Sequence, residues 1–248
     1  MGDFVAGISR IRDSVGAVMK ITKEEPAAEG TVPPAAPTFG VAFVGTAWCV
    51  VPNRYFVTAH HVFNNGQPRN PKDRFVLFFV PGNGLMGFHT PVTGFPFDDA
   101  GNDMAVIEIG APPVGVDSVP AVSLSFDYPT DGTRVLTYGF PSPVITAATV
   151  DVDGNWGGGQ LLLKSHANEG IVAGQYEHSG AHVFELNVGW HHGESGGPVF
   201  RLAPLAAFAL MQSYRGIQSP NGVYAGPHQG RSISAIRATL ESLGVSVI

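Results

Sequence analysis

The chain has 248 residues, 44% hydrophobic and 14% charged, with 32 Gly and 20 Pro. That much turn-forming residue excludes an all-helical protein, and the length suits one compact unit or two small lobes. The formal charge of −6 gives a phosphate backbone nothing to bind, and the single cysteine, Cys49, excludes both a disulfide framework and a Cys-rich zinc site. A reducing, cytoplasmic setting is therefore expected. No apolar run approaches the ~18 residues that cross a bilayer, and the N-terminus lacks a basic start followed by an apolar stretch. Neither a membrane nor a nucleic acid is an expected partner.

Phe4, Val5, Ile8, Ile11, Val15, Val18 and Met19 recur at three-and-four spacing, which predicts an amphipathic helix over 3–22 within an N-terminal segment 1–23. Such a helix either packs on its own domain or docks a regulatory partner or a second copy. Residues 24–37, EEPAAEGTVPPAAP, cannot continue a helix and read as a linker. From Thr38 the pattern changes to short apolar runs separated by Gly, Pro, Asn and Asp: FGVAFVG, WCVVPNRYFVTAH, RFVLFFVPGNG, MAVIEIG, RVLTYGFP and HVFELNV. Rich in Val, Phe, Ile and Thr, these predict antiparallel strands in two small barrels, about 38–120 and about 121–231. GNWGGGQ, over 154–160, lacks the Lys of a phosphate loop and reads as an ordinary loop. Helical spacing returns in 232–243, where Ile233, Ile236, Leu240 and Leu243 share a face and Gly244 stops the helix.

The chemistry-bearing residues lie within the strand-rich body. In His192-Gly193-Glu194-Ser195-Gly196-Gly197-Pro198, glycines on both sides let the backbone turn tightly enough to expose the Ser195 hydroxyl. They also let the Gly193 and Ser195 amides point at one spot, as an oxyanion hole requires. A serine hydroxyl is a weak nucleophile and needs a base, for which Thr58-Ala59-His60-His61-Val62 offers two histidines. Together these segments resemble the trypsin/chymotrypsin-like serine peptidases of clan PA, in particular the bacterial trypsin-like and HtrA-like members. The first motif of those enzymes reads T-A-A-H-C or T-N-x-H-V.

That resemblance makes His61 the base and puts His60 in the variable position before it. Asp103, in Asn102-Asp103-Met104-Ala105-Val106, matches the D-I-A-L-L segment that supplies the acid, with Asp98 and Asp99 in the turn-like GFPFDDAGN as competitors. The His, Asp, Ser order and the spacings of 42 and 92 residues agree. The implied fold is all-β, two six-stranded antiparallel barrels flanked by the N-terminal and C-terminal helices in a protease domain over 38–248. Gly132 to Pro141 resembles a second-barrel strand of the family, and Gln212 to Gly216 with Asn221 to Tyr224 resembles its specificity-pocket walls.

On the same pattern the substrate-binding residues are Gly189, His192, Ser213, Tyr214, Arg215 and Gly222. Gly189 occupies the pocket-floor position and carries no charge, which disfavours cleavage after Lys or Arg; Arg215 near the mouth favours an uncharged or acidic residue. The sequence departs from the family in having no Ile-Val-Gly-Gly start and in placing Glu194, not Asp, before the nucleophile, which puts activation by N-terminal cleavage in doubt. A PDZ-like domain is not expected, since the chain ends directly after the terminal helix. His178 and His182 are four apart but lie among Gly and Ser rather than on a helix, and with no Cys or acid at ligand spacing no metal or cofactor is expected. The expected activity is serine endopeptidase action on a protein or peptide; the alternative is a catalytically silent module that keeps the fold for binding.

Overall fold

The computed structural model describes the chain except residues 1, 25–36, 65–68, 82–86, 114–115, 117, 190, 220–221 and 246–248; for 213–219 and 222–225 it describes the backbone only. Helix α1 (Gly2–Ile11) and a 3-10 turn (Arg12–Ser14) lead into strands β1 (Val15–Lys23), β2 (Phe39–Val51) and β3 (Tyr55–Thr58), followed by the one-turn helix α2 (His61–Asn64). Strands β4 (Arg74–Phe79), β5 (Phe88–Asp99) and β6 (Met104–Ile109) complete the first barrel, which closes in the order β1, β2, β3, β6, β5, β4. The second barrel is built from β7 (Arg134–Gly139), β10 (His166–His178), β11 (Ala181–Asn187), β12 (Pro198–Leu202), β13 (Leu205–Ser219) and β14 (Gly222–Ser232). It closes in the order β10, β11, β14, β13, β12, β7, and all pairings in both barrels are antiparallel. Strands β8 (Val144–Val150) and β9 (Trp156–Leu162) form a separate hairpin, so the segment read as a Gly-rich loop is largely strand.

The expected two-barrel architecture is present, with one boundary to correct. The helix predicted over 3–22 ends at Ile11, and residues 15–23 are the first strand of the first barrel, which therefore begins well before residue 38. The cause is burial on both faces: Val15, Ala17, Val18, Met19 and Ile21 are all inside, and such a strand shows neither clean alternation nor a polar stripe. Consequently the proline-rich segment joins β1 to β2 instead of tethering a helix to the body. Of that segment, residues 25–36 lie outside the described residues, but Glu24 N donates to Thr38 O at 2.9 Å and Thr22 pairs with Gly40.

Helix α1 rests on the second barrel before the chain crosses to the first. A methyl group at Gly7 would meet Leu136 at 3.2 Å, with Leu205 and Leu202 just beyond, while Phe4 and Ile8 pack against the core and Val5 faces solvent. Most of the apolar face that suggested a docking role, Phe4, Ile8 and Ile11, thus packs on its own domain, and Val5 stays exposed. At the other end, Ser232 caps a 3-10 turn (Ile233–Ile236), accepting from Ser234 N at 3.2 Å, and α3 (Arg237–Ser242) follows. This helical segment buries Ile233, Ile236 and Leu240 and ends at Gly244, whose φ is +81°. Among the described residues, no helix is long and apolar enough to cross a membrane.

Because β1 pairs with both β2 and β4, deleting residues 1–23 opens the first barrel and strands two rows of backbone donors and acceptors. That truncation should abolish the cooperative near-UV circular dichroism melt, whereas deleting 1–14 should only lower the midpoint. A native-like melt for the longer deletion would contradict the placement of β1.

Candidate active site

His61 opens α2 directly after β3, and Asp103 stands immediately before β6, the strand hydrogen-bonded to β3. The turn between β5 and β6 is folded around Asp99, which accepts from Gly101 N at 2.8 Å, Asn102 N at 3.1 Å and Asn102 Nδ2 at 2.7 Å. Asp103 then adopts φ +52°, a left-handed conformation that Asp tolerates better than most residues. In that conformation its carboxylate receives His61 N on Oδ1 at 2.9 Å and faces His61 Nδ1 at 2.9 Å from Oδ2 and 3.1 Å from Oδ1. A carboxylate at Nδ1 favours the tautomer with its proton there, which leaves Nε2 as an acceptor.

The competing residues are engaged with each other. His60 Nδ1 pairs with Asp98, Asn64 Nδ2 lies 2.6 Å from His60 Nε2, and Arg69 reaches Asp98 at 3.8 Å while stacking over Phe95. The structure therefore gives Asp103 to His61, Asp98 to His60 and Asp99 to its own turn.

Ser195 comes from the second barrel, in the turn between β11 and β12. It shares a cleft of about 400 Å³ with His61, His192, Gly193, Gln212 and Lys20. Its Oγ donates to the Gln212 carbonyl at 3.3 Å. A hydroxyl has one proton, so in this arrangement it is not offered to His61, and rotation about the Cβ–Oγ bond, with or without a change in χ1, is needed to redirect it. The turn is possible only with glycine at two points. Gly193 has φ +100°, and a Cβ there would lie 2.3 Å from Phe140 O; Gly196 has φ +81°, and a Cβ there would lie 2.2 Å from Thr58 Oγ1. Among the described residues, the turn's backbone bonds use the amides of Glu194, Gly196 and Gly197 and leave those of Gly193 and Ser195 outside them.

Glu194 is 4% exposed, and its carboxylate accepts from His191 N at 2.7 Å and from Asn168 Nδ2 at 3.3 Å. Burial pushes its carboxyl above the usual range, against the His191 amide, the charges of His191 and His166, and the Asn168 bond. Asn168 and the His191 backbone thus hold this acid from within the domain.

Of the expected substrate-binding residues, His192 is exposed and lines the cleft, and Gly189 is exposed, with Asn168 Oδ1 3.5 Å from its Cβ position, but is not among the residues lining the cleft. The side chains of Ser213, Tyr214, Arg215 and Gly222 lie outside the described residues; their backbones lie on the paired strands β13 and β14. Sequence reasoning assigned no role in catalysis to Gln212. Its Nε2 donates to Asp103 Oδ2 at 3.0 Å and to Asn102 O at 3.3 Å, and its own carbonyl receives Ser195. The available signal was a polar side chain ending the buried apolar run LAAFALM.

Two six-stranded antiparallel barrels, with a His–Asp pair on one and a glycine-flanked serine on the other, place the molecule in the chymotrypsin-like class. The family model described as "Trypsin-like peptidase domain" matches residues 45–203, well over half the chain, and the chain belongs to that family. No curated protein sequence matches it. Among solved structures it is similar to an HtrA-type protease, AlgW, solved with a decapeptide: TM-score 0.65 and 15% identity, covering 97% of this chain and 67% of that one. It is also similar to Deg5, with a TM-score of 0.59 and 14% identity, covering 96% of this chain and 91% of that one. At such identities the likeness is one of fold.

The raised Glu194 carboxyl makes a signed prediction. An acid whose folded pKa exceeds its unfolded value holds more protons when folded, so its contribution to stability worsens as pH rises from the ordinary carboxylate range through the raised value. Glu194→Gln keeps an acceptor for the His191 amide and removes that dependence. In urea titrations the variant should gain on wild type between pH 4 and pH 8; a pH-independent difference would contradict the assignment.

Proposed function

We propose that the protein is a serine endopeptidase that cleaves peptide bonds through an acyl-enzyme on Ser195. In this reading His61 Nε2 takes the serine proton as Oγ attacks the carbonyl carbon of the peptide. The amides of Gly193 and Ser195 stabilise the oxyanion, and His61 then delivers the proton to the leaving amine. A water, deprotonated by the same nitrogen, hydrolyses the ester and regenerates the hydroxyl. Asp103 holds the imidazole in the required tautomer and stabilises the imidazolium; Gln212 steadies Asp103. No cofactor enters the scheme.

The observation that carries this reading is the engagement of His61 by Asp103 through both its ring nitrogen and its backbone amide, on the wall of the cleft that holds Ser195. That AlgW is solved with a decapeptide supports peptides as the substrate class. The uncharged Gly189 supports cleavage after residues other than Lys or Arg. The donation from Ser195 to the Gln212 carbonyl favours a second reading, a silent binding module, if the hydroxyl never leaves that rotamer.

Kinetics on a cleaved peptide separate the roles. His61→Ala or Ser195→Ala should lower kcat by roughly 10⁴ or more, while His60→Ala, removing a histidine tied to Asp98 and Asn64, should lower it far less. Activity should fall on acidification as the imidazole takes up a proton. Equal losses for His60→Ala and His61→Ala would contradict the assignment of the base, and dominant cleavage after Lys or Arg in a mixed peptide library would contradict the pocket.

A further inference from the structure

Arg231, on β14 of the second barrel, is 4% exposed, an expensive place for a guanidinium unless it is anchored. Its Nη1 donates to the carbonyl of Gly101 at 3.0 Å and its Nη2 to the carbonyl of His178 at 3.1 Å. Gly101 belongs to the first-barrel turn that ends in Asp103, and His178 ends β10 of the second barrel. One planar fork therefore fastens the turn carrying the acid to the barrel carrying the serine. Gln212 grips the next carbonyl of the same turn, Asn102 O, at 3.3 Å. Burial lowers the Arg231 pKa from its ordinary value, opposed by the charges of Asp103, Asp99 and Tyr176, which places the cation within electrostatic reach of the acid that orients His61.

Resting on the peptidase reading, we infer that Arg231 is a positioning residue: it holds Asp103 against the second barrel in the left-handed conformation that meets His61, and it moderates the negative field that Asp103 exerts on the imidazole. Arg231 touches no substrate in this account. Its effects fall on turnover and on the protonation of His61, not on substrate binding. Among the described residues, the other titratable and charged groups around the pair are His60, Asp98, Asp99 and Arg69 from the first barrel, Tyr176 and His178 from β10, and His192, which lines the cleft with His61. Gln212, from β13, is neutral, and Lys20 across the cleft is tied to Asp73 at 2.6 Å. Lys20 and Arg69 are committed to Asp73 and Asp98, whereas Arg231 is the cation fastened to the turn that carries Asp103. Its removal leaves the imidazolium more strongly favoured.

The test is an NMR titration of His61, assigned with His60→Gln as background, in wild type, Arg231→Met and Arg231→Lys, alongside peptide kinetics and thermal melts. Arg231→Met should raise the His61 midpoint by about half a pH unit and lower kcat about tenfold with KM little changed. Arg231→Lys should keep the midpoint near wild type, because the charge remains, and still lose turnover, because an ammonium cannot span both carbonyls as the fork does. A folded Arg231→Met with an unmoved midpoint overturns the inference, even if its melting temperature falls. If Arg231→Met does not fold, wild-type kcat in folded Arg231→Lys overturns it instead. A wild type that cleaves no peptide sinks the peptidase reading and leaves the His61 titration to decide the role of Arg231.

Discussion

His61 and Ser195 come from different barrels, so they meet across one cleft only where the barrels are held in register, and that register depends on the buried second half of β2. Thr46 N donates to Ser195 O at 2.8 Å, Thr46 Oγ1 to Gly193 O at 2.7 Å, and Trp48 Nε1 to Gly196 O at 3.1 Å. Three carbonyls of the Ser195 turn are thereby claimed by two residues of the first barrel. Each is buried or nearly so, and each left unpaired would cost about 1–3 kcal/mol. Phe140 N donates back to Thr46 Oγ1 at 3.2 Å, so the threonine hydroxyl serves as acceptor and donor at the seam. With the carbonyls turned into the seam, the turn can present amides to the cleft.

The same logic of local partners governs the charges. Asp103 is satisfied by His61 from its own barrel and Gln212 from the other, and Glu194, one residue before Ser195, is held by Asn168 and the His191 backbone. Neither carboxylate is left bare in a low-dielectric region, where an unpaired charge would be costly. Holding Glu194 with an amide side chain and a backbone N–H also means that the turn is ordered without an ammonium group from a cleaved N-terminus. The shape of the Ser195 turn is thus built into the domain, and on the proposed peptidase reading the orientation of the Ser195 hydroxyl separates the resting geometry from a reactive one.

Much of this was legible in the sequence because it is local. GESGGP carries its turn in its glycines, and T-A-H-H-V and N-D-M-A-V-I sit where a strand ends or begins, so barrel strands and motif residues fall together. Strand β1 was misread because a strand buried on both faces, VGAVMKITK, shows the residue types but not the period of a strand, and the real helix of 2–11 ran straight into it. Gln212 and Arg231 were missed for a different reason. Their partners, Asp103, Asn102 and Gly101, lie more than 100 residues away, and nothing in a one-dimensional pattern reports which barrel turn a side chain will reach. Gln212 left a trace as a polar group ending a buried apolar run, whereas Arg231, set in the polar stretch PHQGRS, left none.

The account stands on Ser195 being a nucleophile activated by His61, and a fluorophosphonate probe mapped by tandem mass spectrometry addresses that directly, because it needs no knowledge of the natural substrate. Folded wild-type protein should carry one adduct, on Ser195, and the adduct should be lost in Ser195→Ala and nearly lost in His61→Ala. Folded wild-type protein that takes up no probe, or an adduct on a residue other than Ser195, would contradict the account.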